Sequence, residues 1–183
     1  SDGLLAQAGQ AIGATGNALL ASVAEISLSA GAGGIVLDPL NESGRVDGVS
    51  VTKLNSVAVQ TINSTGTNTA VSRSLSGITV TGGGSLQMNA PGDLLLTQAV
   101  AVAGDVRLAS NLMSIAAVTT AGGLASLSAV SALGVSAAGR VQTGTSATLY
   151  MGVSAGGGDG GNRHQAVRCS PAAAVLLYLP AGR

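Results

Sequence analysis

The chain has 183 residues, 46% of them apolar, and its 8 basic residues balance its 8 acidic residues. Charged residues make up only 9% of the chain, which excludes a strongly basic surface, so we expect no nucleic-acid partner. The apolar residues include no Phe, no Trp and only 2 Tyr, which excludes a wide core filled by aromatic side chains. This composition favours narrow layers of Ala, Val, Leu and Ile.

Residues 1–22 predict a degenerate or capping coil of a repeat structure. The spacing of Leu4, Ala8 and Ile12 would permit a short helix. Glycines recur among these residues, however, and each glycine costs a helix about 1 kcal/mol relative to alanine. We therefore interpret this segment as a coil of the repeat structure.

Apolar and polar residues alternate clearly after residue 22. Ile26, Leu28 and Ala30 alternate with Ser27 and Ser29. A strand places successive side chains on opposite faces. The three apolar residues are therefore expected to face a core, and the two serines to face solvent.

A polar segment at residues 38–48 interrupts this pattern. Pro39 cannot donate a ladder hydrogen bond, and Asp47-Gly48 is a turn dipeptide, so we predict a loop or lateral bulge. Alternation then returns in three segments, each of which predicts a strand. These segments are Val49–Thr52, Val57–Gln60 and Ile78–Thr81.

A repeat of coil length organises residues 84–153. Equivalent apolar residues recur at intervals of 20, 19 and 22 residues, at Met88, Leu108, Leu127 and Leu149. Further apolar clusters lie between these positions, for example at residues 94–96 and 100–102. Three short strands per interval predict an all-β chain folded as a parallel β-helix, or solenoid, of about 20-residue coils. About 160 patterned residues would then form about eight coils.

The repeat fades after residue 153. We accordingly divide the chain into a first coil at residues 1–22, β-helix repeats at 23–153, a Gly-rich linker at 154–162 and an irregular tail at 163–183. Residues 108–139 carry no charge, but polar residues interrupt them throughout, so no transmembrane segment is predicted. The first residues show no signal peptide, and the chain reads as a mature segment or a piece of a longer polypeptide.

His164 and Cys169 are the only histidine and cysteine, and both lie in the predicted tail. They could form a nucleophile and base, but no third residue at a recognisable spacing would orient them. Together they also provide fewer ligands than zinc requires. We interpret the pair as incidental.

The acidic and glycine-rich segments predict no metal site either. Asp38, Glu42 and Asp47 are better explained as a solvated loop than as ion ligands. Residues 156–161 resemble the calcium-binding nonapeptide, yet the motif occurs once and real sites share ligands between stacked copies. We therefore predict no catalytic, cofactor-binding or metal-binding residue and no cofactor.

Residues 23–153 resemble the repeat regions of filamentous-haemagglutinin-like exoproteins, the adhesins that Gram-negative bacteria export by two-partner secretion. The resemblance is carried by the segments 26–37, Gly92-Asp93-Leu94-Leu95-Leu96, Gly104-Asp105-Val106-Arg107-Leu108 and 123–129. It implies a right-handed β-helix on the extracellular side or outer-membrane surface. It also implies an outer-membrane transporter for the parent protein, and a receptor or glycan on a host or neighbouring cell as partner.

The resemblance predicts a structural, adhesive β-helix segment that is not an enzyme. Two alternatives remain. The first is a polysaccharide-acting enzyme on the same fold, which would need clustered carboxylates and basic residues; the sparse candidates are Asp93, Asp105, Arg107 and Arg140. The second is a filament unit that self-associates end to end through its open coil edges.

Overall fold

The computed structural model describes residues 3–39, 48–62, 68–153 and 163–169, and the side chains of residues 3–39, 48–55 and 72–145. Every regular element in these ranges is a β-strand. The strands are β1 (Gly3–Gln7), β2 (Ala11–Ile12), β3 (Leu19–Ala21), β4 (Glu25–Ala30), β5 (Gly34–Pro39), β6 (Gly48–Val51), β7 (Lys53–Ile62), β8 (Asn68–Ser76), β9 (Ile78–Val80), β10 (Leu86–Asn89), β11 (Asp93–Leu96), β12 (Val100–Val102), β13 (Val106–Ile115), β14 (Val118–Ala121), β15 (Leu124–Val135), β16 (Arg140–Thr143), β17 (Ser146–Val153) and β18 (Arg163–Cys169).

Most strands wind into a solenoid, because each pairs in parallel with a strand one coil away and not with its neighbour in sequence. We name its three faces by the order in which the chain passes them. The leading face holds β6, β11 and the second halves of β13 and β15. The middle face holds the end of β4, then β9, β12, β14 and β16. The trailing face holds β5, β10, the first halves of β13 and β15, and β17.

The predicted fold class, an all-β parallel β-helix, is confirmed. The solenoid has about 5 turns, with coils of ~22 residues. At about 4.8 Å between paired strands, five turns rise by about 24 Å. Residues 3–21 contribute the first coil, in which β1 pairs with β4, and β2 and β3 both pair with β5.

Equivalent residues of successive coils stack on one another. Met88, Leu108, Leu127 and Leu149 are register partners in β10, β13, β15 and β17, which confirms the repeat read from their spacing. Inward positions such as Leu108 therefore lie between similar aliphatic residues of the adjacent coils. The core is a set of stacked layers, as the composition predicts.

One reason why the solenoid has fewer coils than the predicted eight is that residues 53–76, about one coil in length, leave it. Strands β7 and β8 pair only with each other, antiparallel, in a hairpin that we call the arm. The predicted strand Val57–Gln60 therefore lies in this hairpin and not in a coil. Alternation has the same period of two in both arrangements, so the sequence pattern does not separate them.

The predicted loop and tail are described only in part. Asp38 and Pro39 belong to β5, and Gly48 opens β6, whereas residues 40–47 lie outside the described residues. Residues 163–169, predicted as the start of an irregular tail, form β18, which pairs antiparallel with β17 along its edge. The predicted linker, residues 154–162, and residues 170–183 lie outside the described part of the chain.

Ser27 is buried, with 0% of its surface exposed, although the sequence predicts that it faces solvent. Its hydroxyl donates to the carbonyl oxygen of Gly77 at 3.1 Å, at the point where the arm rejoins the solenoid. The alternation places Ser27 on the side opposite Ile26 and Leu28, as predicted. The alternation alone does not reveal that the base of the arm covers that side and excludes solvent from Ser27.

Glycine is required where the chain turns from the middle to the trailing face. A Cβ atom at Gly122 would lie 2.1 Å from the carbonyl oxygen of Ala103, and one at Gly144 would lie 2.0 Å from that of Gly122. The Gly122 amide donates to Val102 at 2.8 Å, so the hydrogen-bond ladder continues through this corner. Successive coils therefore approach too closely here for a side chain between them.

The corner between the leading and middle faces varies in length instead. Only Ser27 separates the inward-facing residues of the two faces in one coil. Residues 97–99 and residues 116–118 fill the same corner in two later coils. The arm leaves the solenoid at this corner, between β6 and β9.

Thr119 places a hydroxyl in the core. It is 0% exposed and lies between Val100 and Val141 in a row of register partners. Its Oγ1 atom has no hydrogen-bond partner among the residues that the structure describes. Burying a hydroxyl without a partner costs about 1–3 kcal/mol.

We expect the substitution Thr119→Val to raise the free energy of unfolding by about 1 kcal/mol, because it removes this cost and keeps a β-branched side chain. Urea denaturation followed by circular dichroism measures the change. The matched control is Thr97→Val, since the Thr97 hydroxyl donates to the Val51 carbonyl at 2.7 Å and its loss should lower stability. A fall in stability on Thr119→Val would contradict the expectation.

Candidate functional site

Three of the four charged residues considered for an enzyme, Asp93, Asp105 and Arg140, lie at different corners of the solenoid. Asp93 opens β11, where the trailing face meets the leading face of the next coil. Asp105 directly precedes β13, between the middle and trailing faces, and Arg140 opens β16, between the leading and middle faces. The fold therefore does not bring these residues together.

Asp105 has a structural role in linking three coils. Its backbone amide donates to Ser85 Oγ at 3.1 Å, and its Oδ1 atom accepts a hydrogen bond from the Leu124 amide at 2.9 Å. Its other carboxylate oxygen lies 3.9 Å from the guanidinium of Arg107, on the surface. The carboxylate thus joins successive coils at the corner, and its one charged neighbour is basic.

His164 and Cys169 lie five residues apart in β18. An extended strand advances about 3.4 Å per residue, so their Cα atoms are about 17 Å apart. They are not adjacent in the β17–β18 pairing either, since His164 pairs with Gly152 and Cys169 with Ala147. The backbone therefore does not bring the two residues together as a dyad.

The acidic and glycine-rich segments give no metal site within the described part of the chain. Asp38 lies in β5 beside Leu20 of the preceding coil. Glu42, Asp47 and residues 156–161 lie outside the described residues. Among the residues that are described, no group of three or more His, Cys, Asp or Glu side chains could hold a metal ion.

The outward faces of the coils are mostly uncharged. The outward row of the middle face is formed by Gln7, Ser29, Thr79, Ala101, Thr120 and Gln142. Each of these side chains is exposed or half-buried. The threonines in this row are not consecutive, so they form no regular threonine ladder. The candidate functional surface is therefore this set of small polar and apolar rows on a rigid coil.

Large exposed apolar side chains are scattered over the described surface. They are Leu20, Leu95, Val118, Leu124 and Val130. No two of them are register partners. The stacking of coils therefore does not extend any of them into an apolar row.

In the described part of the chain, no helix is long and apolar enough to cross a membrane. No protein-family model, curated protein or solved structure matches the chain.

Proposed function

We propose that this chain is a structural, adhesive β-helix segment of a large secreted or surface-exposed bacterial adhesin, and that it has no catalytic activity. The parent protein is exported through an outer-membrane transporter to the surface of a Gram-negative bacterium. There the solenoid serves as a shaft and display surface. Its partner is a receptor or glycan on a host or neighbouring cell.

The observation that carries this proposal is the regular stacking of short coils whose outward rows are small and mostly uncharged. Stacked coils form a rigid rod whose length depends on the number of repeats and not on a globular core. Such a rod suits a shaft. Small Ser, Thr, Ala and Gln side chains on flat strands also give a surface that hydrogen-bonds to neutral ligands such as glycans.

The enzyme alternative finds little support in the described residues. Glycoside hydrolysis needs two carboxyl groups within about 5–10 Å on either side of the scissile bond. Asp93 and Asp105 lie at opposite ends of the trailing face, and Asp105 is held by the Leu124 amide. An enzyme of this class would need them side by side.

Antibodies raised against the purified chain test the proposal on the source bacterium. We expect them to label intact cells or the culture medium, and deletion of the segment to lower attachment to cells or glycan-coated surfaces several-fold. Antibodies against a periplasmic protein provide the control for cell integrity. Labelling that appears only after permeabilisation would refute the surface role.

A further inference from the structure

The arm is the one described element that leaves the solenoid. It comprises β7 with 10 residues and β8 with 9, joined through residues 63–67. A 10-residue strand is about 34 Å long, more than the rise of all the coils together. The arm therefore provides a long sheet that the core of the solenoid does not require.

The base of the arm is firmly seated. The Gly77 amide donates to the Thr52 carbonyl at 3.0 Å, and the Gly77 carbonyl accepts hydrogen bonds from Ser27 Oγ and from the Leu28 amide. Gly77 adopts a φ of +70°, which favours glycine. Leu54 is 9% exposed and packs against Gly3. The chain thus leaves the coil in β7 and returns to it after β8 at adjacent residues that are joined by hydrogen bonds.

Beyond this base, the outer edges of β7 and β8 have no strand partner among the described residues. An isolated two-stranded sheet is marginally stable in water, and three or more strands are usually needed. Natural edge strands are protected by charge, proline or short length. Residues 54–72 contain no charged residue and no proline, so the arm lacks all three protections.

The charged residues at the base of the arm favour one orientation for the pairing of two arms. Lys53 and Arg73 are the charged residues of the arm, and both are basic. If two copies pair antiparallel about a two-fold axis, the base of each arm lies beside the tip of the other, so these cations stay apart. The same edge then serves both copies, and two hairpins become one four-stranded sheet.

We infer that the arm binds a second copy of this chain by antiparallel pairing of arm edges. This interaction goes beyond the proposed surface role and does not depend on it. Each copy supplies the same edge, so this contact is self-complementary and joins two copies. On neighbouring shafts, it would join solenoids laterally.

Analytical ultracentrifugation of the full chain tests the inference over about 1 to 100 μM. We expect a concentration-dependent dimer. The main variant replaces residues 54–75 by Asn-Gly, because Lys53 and Ser76 are register partners and Asn-Gly is the preferred two-residue turn. This variant should be monomeric over the same range and should keep the circular dichroism of a β-solenoid.

Two point variants keep the arm at full length. Val59→Lys and Val71→Lys each place a charge in the middle of one strand, at residues that pair with each other. The variant whose strand forms the pairing edge should weaken dimerisation at least about tenfold, since it places a charge against the uncharged strand of the other copy. A monomeric parent chain, a shortened variant that still dimerises, or no effect of either lysine would each overturn the inference. Surface labelling of cells would be unaffected by all three results.

Discussion

The substitution Leu96→Ala will lower the free energy of unfolding by about 2–5 kcal/mol, because it leaves a cavity in a close-packed layer. Leu96 is 0% exposed and lies in a core row between Val51 and Ile115. A narrow core has few neighbours that can move into the space. Adjacent coils depend on this layer, so the loss should reach the whole solenoid.

The neighbouring residue provides a matched control. Leu95 lies in the same strand, is 38% exposed and pairs with Ser50 and Ser114 on the outward side. The substitution Leu95→Ala should change stability by less than about 1 kcal/mol. Urea denaturation followed by far-ultraviolet circular dichroism suits both variants, since the chain has no Trp and only 2 Tyr. Equal losses at the two positions would contradict the layered core.

The substitution Gly122→Ala should cost about 3 kcal/mol, at the upper end for overpacking. The new Cβ atom would lie 2.1 Å from the backbone oxygen of Ala103, which cannot rotate away as a flexible side chain could. In the variant, the coils must separate at this corner, which lengthens the hydrogen bond from the residue 122 amide to the Val102 carbonyl.

Gly134→Ala is the control for this prediction. Gly134 lies within strand β15, whereas Gly122 lies between β14 and β15, and a Cβ atom at Gly134 would have no atom within 4 Å. Alanine at this position should be neutral or slightly stabilising, since glycine loses more conformational freedom on folding. The same denaturation experiment compares the two variants. If Gly122→Ala is as stable as Gly134→Ala, the corner is looser than the structure indicates.

The sequence predicts the register of the later coils well because only a one-residue register shift, between Ser110 and Leu112, interrupts them. Between Met88 and Leu149 the inward residues recur at nearly constant intervals, so counting residues is enough to find their partners. Each position is set by its equivalents in the coils before and after. A local pattern therefore carries long-range information in this fold.

The arm is the main feature of the fold that the sequence reading missed. A usable signal exists: Val51 and Ile78 occupy neighbouring inward positions, yet far more residues separate them than separate Leu96 from Val100. Alternation on both sides of the Asn- and Thr-rich residues 63–67 also fits a hairpin. Without a known register, however, the additional residues between Val51 and Ile78 could equally form one more coil.

The contacts of the charged residues could not be predicted from the sequence either. Sequence spacing places Asp93, Asp105 and Arg107 in one repeat, but it does not show that Asp105 binds the Leu124 amide of the next coil. Corner positions depend on where each coil turns. The composition alone nevertheless indicated that few charged residues were present to form a site.

The variable corner between the leading and middle faces has a consequence for grafting. Thr52 and Gly77 are joined by a direct hydrogen bond, so the two ends of the segment between them lie side by side. A foreign peptide with adjacent ends could replace the part of the hairpin beyond Leu54, whose buried side chain belongs to the base of the arm. The architecture thus separates the stacked core from segments inserted at this corner, and an insertion there can change the exposed surface while the rod keeps its form.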